Sequence, residues 1–243
     1  MRTVALAGRV FKEVYRDRAG ITLGIIYPAM LMVIFVLIEG HVPVDIFEPI
    51  NIMPGITVFS FAFLTMFSAS MLARDREKAF LVRLLTTPLK PSEFILAYSL
   101  PYFLIALLQT AVMFLTGTLF GAPAGIGYIT SLLFLLPTAM ICIGIGMILG
   151  SLFSESALPA PGTITIVIIA FFSGAFADFK MIGGIIRTIA LVLPFSHAVD
   201  GIRSILAGNP LSEVMNSLYM VIAYALLFYL LGVLFFRWRT RSI

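Results

Sequence analysis

Few side chains in this sequence have the type and spacing that enzyme chemistry requires. Ser173 and His197 could form a serine–histidine dyad for nucleophilic catalysis if the fold brought them together. The two histidines, His41 and His197, and the single cysteine, Cys142, do not form a metal-ligand pattern. The sequence contains no Gly-x-x-x-x-Gly-Lys-Ser/Thr loop for nucleotide phosphates. We therefore expect this chain to bind no metal and no cofactor, and not to be an enzyme.

The pair of Ser173 and His197 resembles, in part, the dyad of rhomboid-type intramembrane proteases. Phe171 stands where the protease motif has a glycine, and His197 follows Pro194 in a segment outside the apolar run of Ser173. Proteolysis is therefore an alternative function, and it requires a hydrogen bond between the two side chains.

The composition predicts a membrane protein. Of the 243 residues, 60% are hydrophobic and 12% are charged, whereas a soluble domain is about 25% charged. The charges leave five long uncharged runs, at 19–38, 49–73, 94–154, 156–177 and 214–236. About 20 helical residues cross the hydrocarbon core once, so the run 94–154 must cross twice, with its Gly- and Pro-rich stretch 116–127 as the turn.

The sequence therefore predicts an all-α membrane protein with a single domain over 1–243 and six transmembrane helices. The predicted elements are an N-terminal amphipathic interface helix (1–18), transmembrane helices (20–39, 50–73, 94–117, 128–150, 158–177 and 214–236), a coupling loop and helix (74–92), an external re-entrant segment (181–207) and a tail (237–243). In the interface helix, one apolar face is predicted to comprise Val4, Ala7, Phe11, Val14 and Tyr15.

The distribution of Lys and Arg predicts the orientation. Of the 16 basic residues, five precede the first predicted span, five lie between the second and third, and three follow the last; three lie on the other side. The positive-inside rule then places both termini in the cytoplasm, with the chain spanning the cell (cytoplasmic/inner) membrane. This charge suits a lipid surface and not nucleic acid.

Two connecting segments have a pattern of their own. The segment 74–93 begins with alternating charges, continues with leucines at helical spacing and ends at prolines, which predicts a short amphipathic helix in the cytoplasm. The segment 181–207 is divided by Pro194 into two pieces of about 20 Å each as helix, which predicts two half-helices that enter the outer leaflet and return. Its candidate residues are Pro194, His197, Asp200 and Arg203.

The predicted spans carry few polar side chains, and none of those near mid-depth is ionisable. This argues against proton- or ion-coupled transport. Gln109 could contact a substrate or, alternatively, form a hydrogen bond that holds helices together. The candidate residues for a substrate path are Gln109, Thr65, Ser68 and Ser173.

The loop after the second span is similar to that of the membrane subunits of the ABC-2 (type V) ABC exporter family. The match consists of the charged run at 75–78 leading to Leu-Leu-Thr-Thr-Pro-Leu at 84–89, followed by 93–96 and 101–102. The stretch 193–203 resembles the family's Pro-x-x-x-Ala-x-x-x-x-Arg signature before the last span. With the six-span layout and the amphipathic N-terminal helix, the resemblance covers essentially the whole chain.

This resemblance implies an exporter permease subunit with two copies of a separate ABC ATP-binding subunit, which binds ATP and Mg²⁺, and a second permease subunit in a homo- or heterodimer. The implied docking residues are Phe11, Arg16, Arg76, Glu77, Phe80, Leu81, Leu84, Leu85 and Pro88. The chain departs from the family at Val82, commonly Glu, and at Ala79, commonly Gly. Hydrophobic docking is therefore expected to matter more than the contact through that Glu.

The expected substrate is hydrophobic or amphipathic, in the range of drugs, antibiotics, lipids and lipid-linked glycans, because the spans carry so little charge. Besides proteolysis, the second alternative function is that of a membrane channel or scaffold that uses no ATP.

Overall fold

The computed structural model describes residues 2–41, 47–77, 91–175 and 184–240, of which 88% are helical and none is in a strand. The helices are α1 (Arg2–Arg16), α2 (Arg18–Ile21), α3 (Tyr27–Glu39), α4 (Pro49–Glu77), α5 (Pro91–Leu119), α6 (Ile126–Leu152), α7 (Pro159–Phe172), α8 (Gly184–Val192), α9 (Pro194–Leu206) and α10 (Leu211–Thr240). A π-helical turn, Thr22–Ile26, joins α2 to α3. The predicted all-α class is confirmed.

Five helices among the described residues are long and apolar enough to cross a membrane. They are Arg18–Glu39, Pro49–Glu77, Ser92–Leu119, Ile126–Leu152 and Leu211–Arg239. The remaining predicted span, 158–177, contains α7, which has 14 residues and is therefore about 21 Å long. That length is shorter than the hydrocarbon core of about 30 Å. The sixth span stays a prediction. Of the predicted coupling segment 74–92, residues 74–77 continue α4 and residues 91–92 begin α5, whereas 78–90 lie outside the described residues.

The turn predicted between the third and fourth spans is confirmed. Helix α5 ends at Leu119 and α6 begins at Ile126. Gly121 has a φ of +99°, a conformation that only glycine adopts without strain. The two halves of the long uncharged run therefore return antiparallel, as its length required.

Glycines let α6 pack closely against two neighbours, α4 and α10. A Cβ atom on Gly146 would lie 2.5 Å from the backbone oxygen of Thr65, and one on Gly150 would lie 2.6 Å from that of Ala69. On the opposite side, a Cβ on Gly144 would lie 2.9 Å from the backbone of α10. Small residues spaced four apart allow this approach between membrane helices. Helix α6 therefore packs closely between α4 and α10.

The apolar face of helix α1 is wider than predicted, and only one side of it is buried. Leu6 and Val10 are buried against the bundle, where α1 packs on α5, and Ala7 of the predicted face is buried as well. Val4, Phe11 and Tyr15 are exposed. The difference follows from helical geometry, since successive residues are separated by about 100° and Val10 points well away from Val4 and Tyr15. One side fixes α1 to the protein and the other is available to a lipid or a partner.

The predicted half-helices correspond to α8 and α9. These have nine and 13 residues, or about 14 and 20 Å of helix. Leu193 between them has extended backbone angles, as expected before a proline, and Pro194 is the first residue of α9. Helix α9 packs on α4, α6 and α10. The entry of this pair into a membrane stays a prediction.

Candidate functional site

Charged side chains meet at one end of the bundle, which we call the basic end: α1, the last turn of α4, the first turns of α5, the turn after α6 and the last turn of α10. At its centre lies Asp75, which is 1% exposed. Arg9 donates two parallel hydrogen bonds to this carboxylate, at 3.0 and 2.9 Å, and Tyr98 donates a third through its hydroxyl. Arg9 also forms an ion pair of 2.7 Å with Glu13. This bidentate geometry fixes α1 to α4 and α5.

The Arg9 guanidinium stays charged throughout the physiological range. Burial lowers the pKa of the Arg9 guanidinium, but the hydrogen bonds and negative charge of Asp75, with the charge of Glu13, raise that pKa above its ordinary value overall. A permanently charged guanidinium is the partner that a buried carboxylate needs. Arg9 therefore supplies a positive charge to the link between α1 and α4 at every physiological pH.

The same end of α4 is also tied to the turn between α6 and α7. Arg76 donates hydrogen bonds to the backbone oxygens of Ser151 and Phe153, the second at 2.7 Å. The carboxylate of Glu77 accepts a hydrogen bond of 2.9 Å from the backbone N–H of Glu155. The last described turn of α4 is thus held by α1 on one side and by the α6–α7 turn on the other.

The residues predicted to dock an ATPase fall into two groups in the structure. Phe11 is 42% exposed and Arg16 is exposed, so both are accessible on α1. Arg76 and Glu77 instead form the internal hydrogen bonds at the end of α4. The others lie outside the described residues: Phe80, Leu81, Leu84, Leu85 and Pro88. Docking stays a prediction for all of them.

Gln109, a candidate for the substrate path, joins three helices. Its amide nitrogen donates hydrogen bonds of 2.7 Å to the backbone oxygen of Gly24, in the π-helical turn, and 3.1 Å to that of Ser60 in α4. Its buried side-chain oxygen has no hydrogen-bond partner among the described residues. These contacts match the alternative interpretation of Gln109 as a link between helices.

The three other candidate path residues are fully buried and bonded to backbone oxygens. Thr65 donates to Cys142 at 3.0 Å, which connects α4 to α6. Ser68 donates to Leu64 at 2.6 Å within α4, and Ser173 donates to the oxygen of Ala170 at 2.8 Å. Their assignment to a substrate path stays a prediction.

Changing Gln109 to leucine is expected to lower the free energy of unfolding by about 1–2 kcal/mol, because hydrogen bonds between membrane helices contribute roughly 0.6–1.7 kcal/mol each. Denaturant unfolding in mixed micelles measures this change. Changing Leu108, an exposed neighbour on α5, to alanine is the control, and we expect it to have a smaller effect. An unchanged stability in the Gln109 variant would show that the two hydrogen bonds contribute nothing.

At the opposite end of the bundle, Arg203 connects α9 to two other segments. It donates hydrogen bonds of 2.8 Å to the backbone oxygen of Asn51, in the first turn of α4, and 2.9 Å to that of Gly174, just after α7. Asp200 lies 4.0 Å from the same guanidinium. The predicted residues of this segment therefore hold α9 against the bundle.

The structure does not pair Ser173 with His197. The imidazole of His197 lies 2.8 Å from the backbone oxygen of Leu191 and 3.4 Å from the hydroxyl of Ser217. The hydroxyl of Ser173 donates to Ala170, as described above. The hydrogen bond that proteolysis would need is absent from the described part of the chain.

A row of aromatic rings lies on α3 and α4 and was not identified from the sequence. Phe63 contacts Tyr27 at 6.0 Å, Phe59 at 5.5 Å and Phe67 at 6.3 Å between ring centroids. Phe63 and Phe67 are half-buried, and α4 packs between α3 and α7. The spacing of four residues at 59, 63 and 67 is the sequence signal that could have found this row.

Comparison with known proteins identifies similar transport proteins. Residues 1–207 match the family model described as ABC-2 type transporter, a range that contains α1 to α9. The chain is 30% identical over 213 residues to "Putative transport permease ycf38" of Porphyra purpurea, with 83% of this chain and 72% of the relative covered. It is 28% identical to the protein of the same name from Pyropia yezoensis, with 82% and 72% covered.

Proposed function

Because this chain belongs to the ABC-2 type transporter family, we propose that it is the permease subunit of an ATP-driven exporter that is powered by a separate ATP-binding subunit. ATP and Mg²⁺ are bound by that partner, and two permease and two ATP-binding subunits form the transporter, as the resemblance implies. The permease itself is a transport subunit and not an enzyme.

The observation that carries this proposal is the bonding of the last turn of α4. The segment 78–90 follows this turn directly, and it contains most of the predicted docking residues. Asp75 is bonded to α1 and α5, and Arg76 and Glu77 are bonded to the α6–α7 region. A displacement imposed on 78–90 by a closing ATPase would therefore be passed to four helices together. A flexible connector would not transmit it.

The basic end is proposed to face the cytoplasm. Arg9, Arg74, Arg76, Arg237 and Arg239 lie in the segments that meet there, and cytoplasmic ends of membrane proteins are enriched in such residues. This orientation puts the exposed face of α1, with Phe11 and Arg16, on the same side as 78–90. Both surfaces would then be accessible to one ATP-binding subunit.

The aromatic row supports a hydrophobic or amphipathic substrate. Phe63 and Phe67 are half-buried on α4, which packs against both α3 and α7, and α7 exposes Val167 and Phe171. Exposed apolar side chains that form a contiguous face are covered by lipid or by a partner protein. We place the second permease subunit and the substrate path along this face, so that aromatic side chains would contact the substrate in place of the buried polar residues.

Changing Phe63 to alanine should then raise the substrate concentration needed for half-maximal transport.

The test is ATP hydrolysis by the permease reconstituted with its ATP-binding subunit. Changing Leu84 and Leu85 together to aspartate is expected to reduce permease-dependent hydrolysis at least tenfold, because burying two carboxylates at an apolar contact costs several kcal/mol. Changing Leu211, exposed at the opposite end of the bundle, to aspartate is the control, and we expect hydrolysis to be unchanged.

Two results would contradict the proposal. One is the absence of any ATP-binding subunit when the tagged permease is purified from its own host. The other is full ATP hydrolysis and transport by the Leu84 and Leu85 double variant at a level of assembled complex equal to that of the wild type.

A further inference from the structure

A cavity of about 270 Å³ lies at the basic end between α1, the α2 and π-helical turns, α4 and α5. Its polar lining consists of Glu13 and Asp17 from the N-terminal segment, Arg74 and Ser70 from α4, and Tyr102 from α5. It does not include the Arg9–Asp75 pair, although Glu13 contacts both the cavity and Arg9. The cavity therefore lies between the charged surface at the basic end and the apolar side chains of the first membrane helix.

Arg74 supplies a positive charge and an unused hydrogen-bond donor. Its Nε atom is buried and has no hydrogen-bond partner within the described ranges. Glu155 forms an ion pair with Arg74 at 3.8 Å from Nε, a distance that is too long for a hydrogen bond. A buried N–H without a partner is unfavourable, so a ligand that brings an acceptor to this position would be favoured. The acceptor best suited to a guanidinium is a phosphate or a carboxylate.

The two carboxylates supply the opposite charge. One oxygen of Asp17 accepts a hydrogen bond of 3.0 Å from the backbone of Gly20, which leaves its second oxygen for another donor. Glu13 is held by Arg9 at 2.7 Å and also lines the cavity. The cavity is thus lined by two carboxylates and one guanidinium. A ligand that carries both an ammonium group and a phosphate would meet an opposite charge at each end.

The rest of the lining is apolar and leads out to the exterior of the helix bundle. It includes Ile21, Leu23, Phe67 and Ile105. Leu23 is 48% exposed, and Ile26, less than one turn further along, is 57% exposed. These residues belong to the first helix that is long and apolar enough to cross a membrane, so the surface they expose suits contact with acyl chains. The cavity thus has a charged part at the membrane boundary and an apolar part that continues towards the acyl chains.

We propose that this cavity binds the headgroup of a membrane phospholipid that contains both a phosphate and a primary amine, the phosphatidylethanolamine class. Arg74 donates to the phosphate, Asp17 and Glu13 accept from the ammonium group, and an acyl chain lies along Leu23 and Phe67. The volume supports a headgroup over a larger molecule, because pockets for drug-sized ligands are about 300–1,000 Å³. A bound lipid would connect α1 to α4 and α5 on the side away from Asp75.

This inference does not rest on the proposed exporter function, because it concerns the permease alone. The experiment uses the full-length chain in detergent, titrated with phosphatidylethanolamine, phosphatidylcholine or phosphatidylglycerol, with bound lipid counted by native mass spectrometry. We expect phosphatidylethanolamine to bind most tightly. Phosphatidylcholine should bind about tenfold more weakly, because its quaternary ammonium cannot donate hydrogen bonds to the carboxylates.

Three variants test the contacts. Arg74→Gln should weaken phosphatidylethanolamine binding about tenfold, the effect of losing one hydrogen bond to a charged group. Asp17→Asn should reduce the preference for phosphatidylethanolamine over phosphatidylcholine while it keeps the N-terminal cap of α2, since asparagine caps helices as well as aspartate does. Lys12→Gln, which removes an exposed charge from α1 outside the cavity, should leave binding unchanged.

The outcomes separate the lipid from other ligands. Equal binding of all three lipids by the wild type, or unchanged binding by Arg74→Gln, would overturn the proposal. Binding of water-soluble glycerophosphoethanolamine as tight as that of the lipid would also overturn it, because the occupant would then be a soluble phosphate ester. Thermal unfolding of each variant without lipid verifies that any loss of binding does not come from loss of fold.

Discussion

Replacing Asp75 with asparagine is expected to lower the free energy of unfolding of the permease by roughly 3 kcal/mol. The substitution preserves the shape of the side chain but removes the charge that Arg9 and Tyr98 contact. Loss of one partner of a buried ion pair typically costs about 3–5 kcal/mol, and the Arg9 side chain is 32% exposed, which places the expected loss at the lower limit. Denaturant unfolding in mixed micelles measures it.

A combined variant distinguishes charge burial from a general packing defect. Changing Arg9 to methionine, Asp75 to leucine and Tyr98 to phenylalanine removes the three polar side chains that meet at Asp75, and such replacements often recover stability. We expect this variant to be more stable than Asp75→Asn yet to transmit less ATPase stimulation. Lys12→Gln, an exposed change on α1, is the control. Wild-type stability in Asp75→Asn would contradict the role assigned to this pair.

Replacing Gly146 with alanine is expected to cost about 1–3 kcal/mol and to reduce the yield of folded protein. The added methyl group would lie 2.5 Å from the backbone oxygen of Thr65 and in direct conflict with the hydroxyl of Ser68. A serine side chain can rotate, but the α4 backbone can move only by displacing the helix, and overpacking of this kind costs about 1–3 kcal/mol. The same unfolding assay measures the change.

Gly8 provides the matched control for this substitution. A Cβ at Gly8, on α1, would meet no atom within 4 Å. Gly8→Ala should therefore be neutral or stabilising by up to about 1 kcal/mol, because alanine favours helix more than glycine does. If both glycine variants have the same stability, the close packing of α6 on α4 is not what requires glycine at 146.

Some features of this fold could be predicted because they depend on neighbouring residues. The uncharged run 94–154 was too long for one crossing, and the Gly- and Pro-rich stretch within it predicted the turn that Phe120 to Gly125 form. Pro194 predicted the break between α8 and α9 for the same reason, since proline restricts the residue before it. The motif after the second span predicted the family, which the match over 1–207 confirms.

The contacts at the candidate site could not be predicted in this way. The alternating charges at 74–78 predicted the start of a short amphipathic helix in the cytoplasm, yet Asp75 is buried because Arg9, 66 positions away in the sequence, supplies its counterion. The polar residue Gln109 was recognised, but its partners Gly24 and Ser60 lie on helices whose relative rotation no local pattern specifies. The aromatic row likewise needed the position of Tyr27 on α3 beside α4.

The sequence by itself determined that this protein is helical, crosses a membrane repeatedly and carries its basic residues in alternate segments. The reason is that the length of each apolar segment decides whether it can span the bilayer, and the Lys and Arg residues next to it decide which side they remain on. The tertiary structure decided which charges are paired, which glycines bring helices together and where a cavity joins Arg74 to Asp17. These depend on the approach of segments far apart in the chain, and close packing sets that approach to within a few tenths of an ångström.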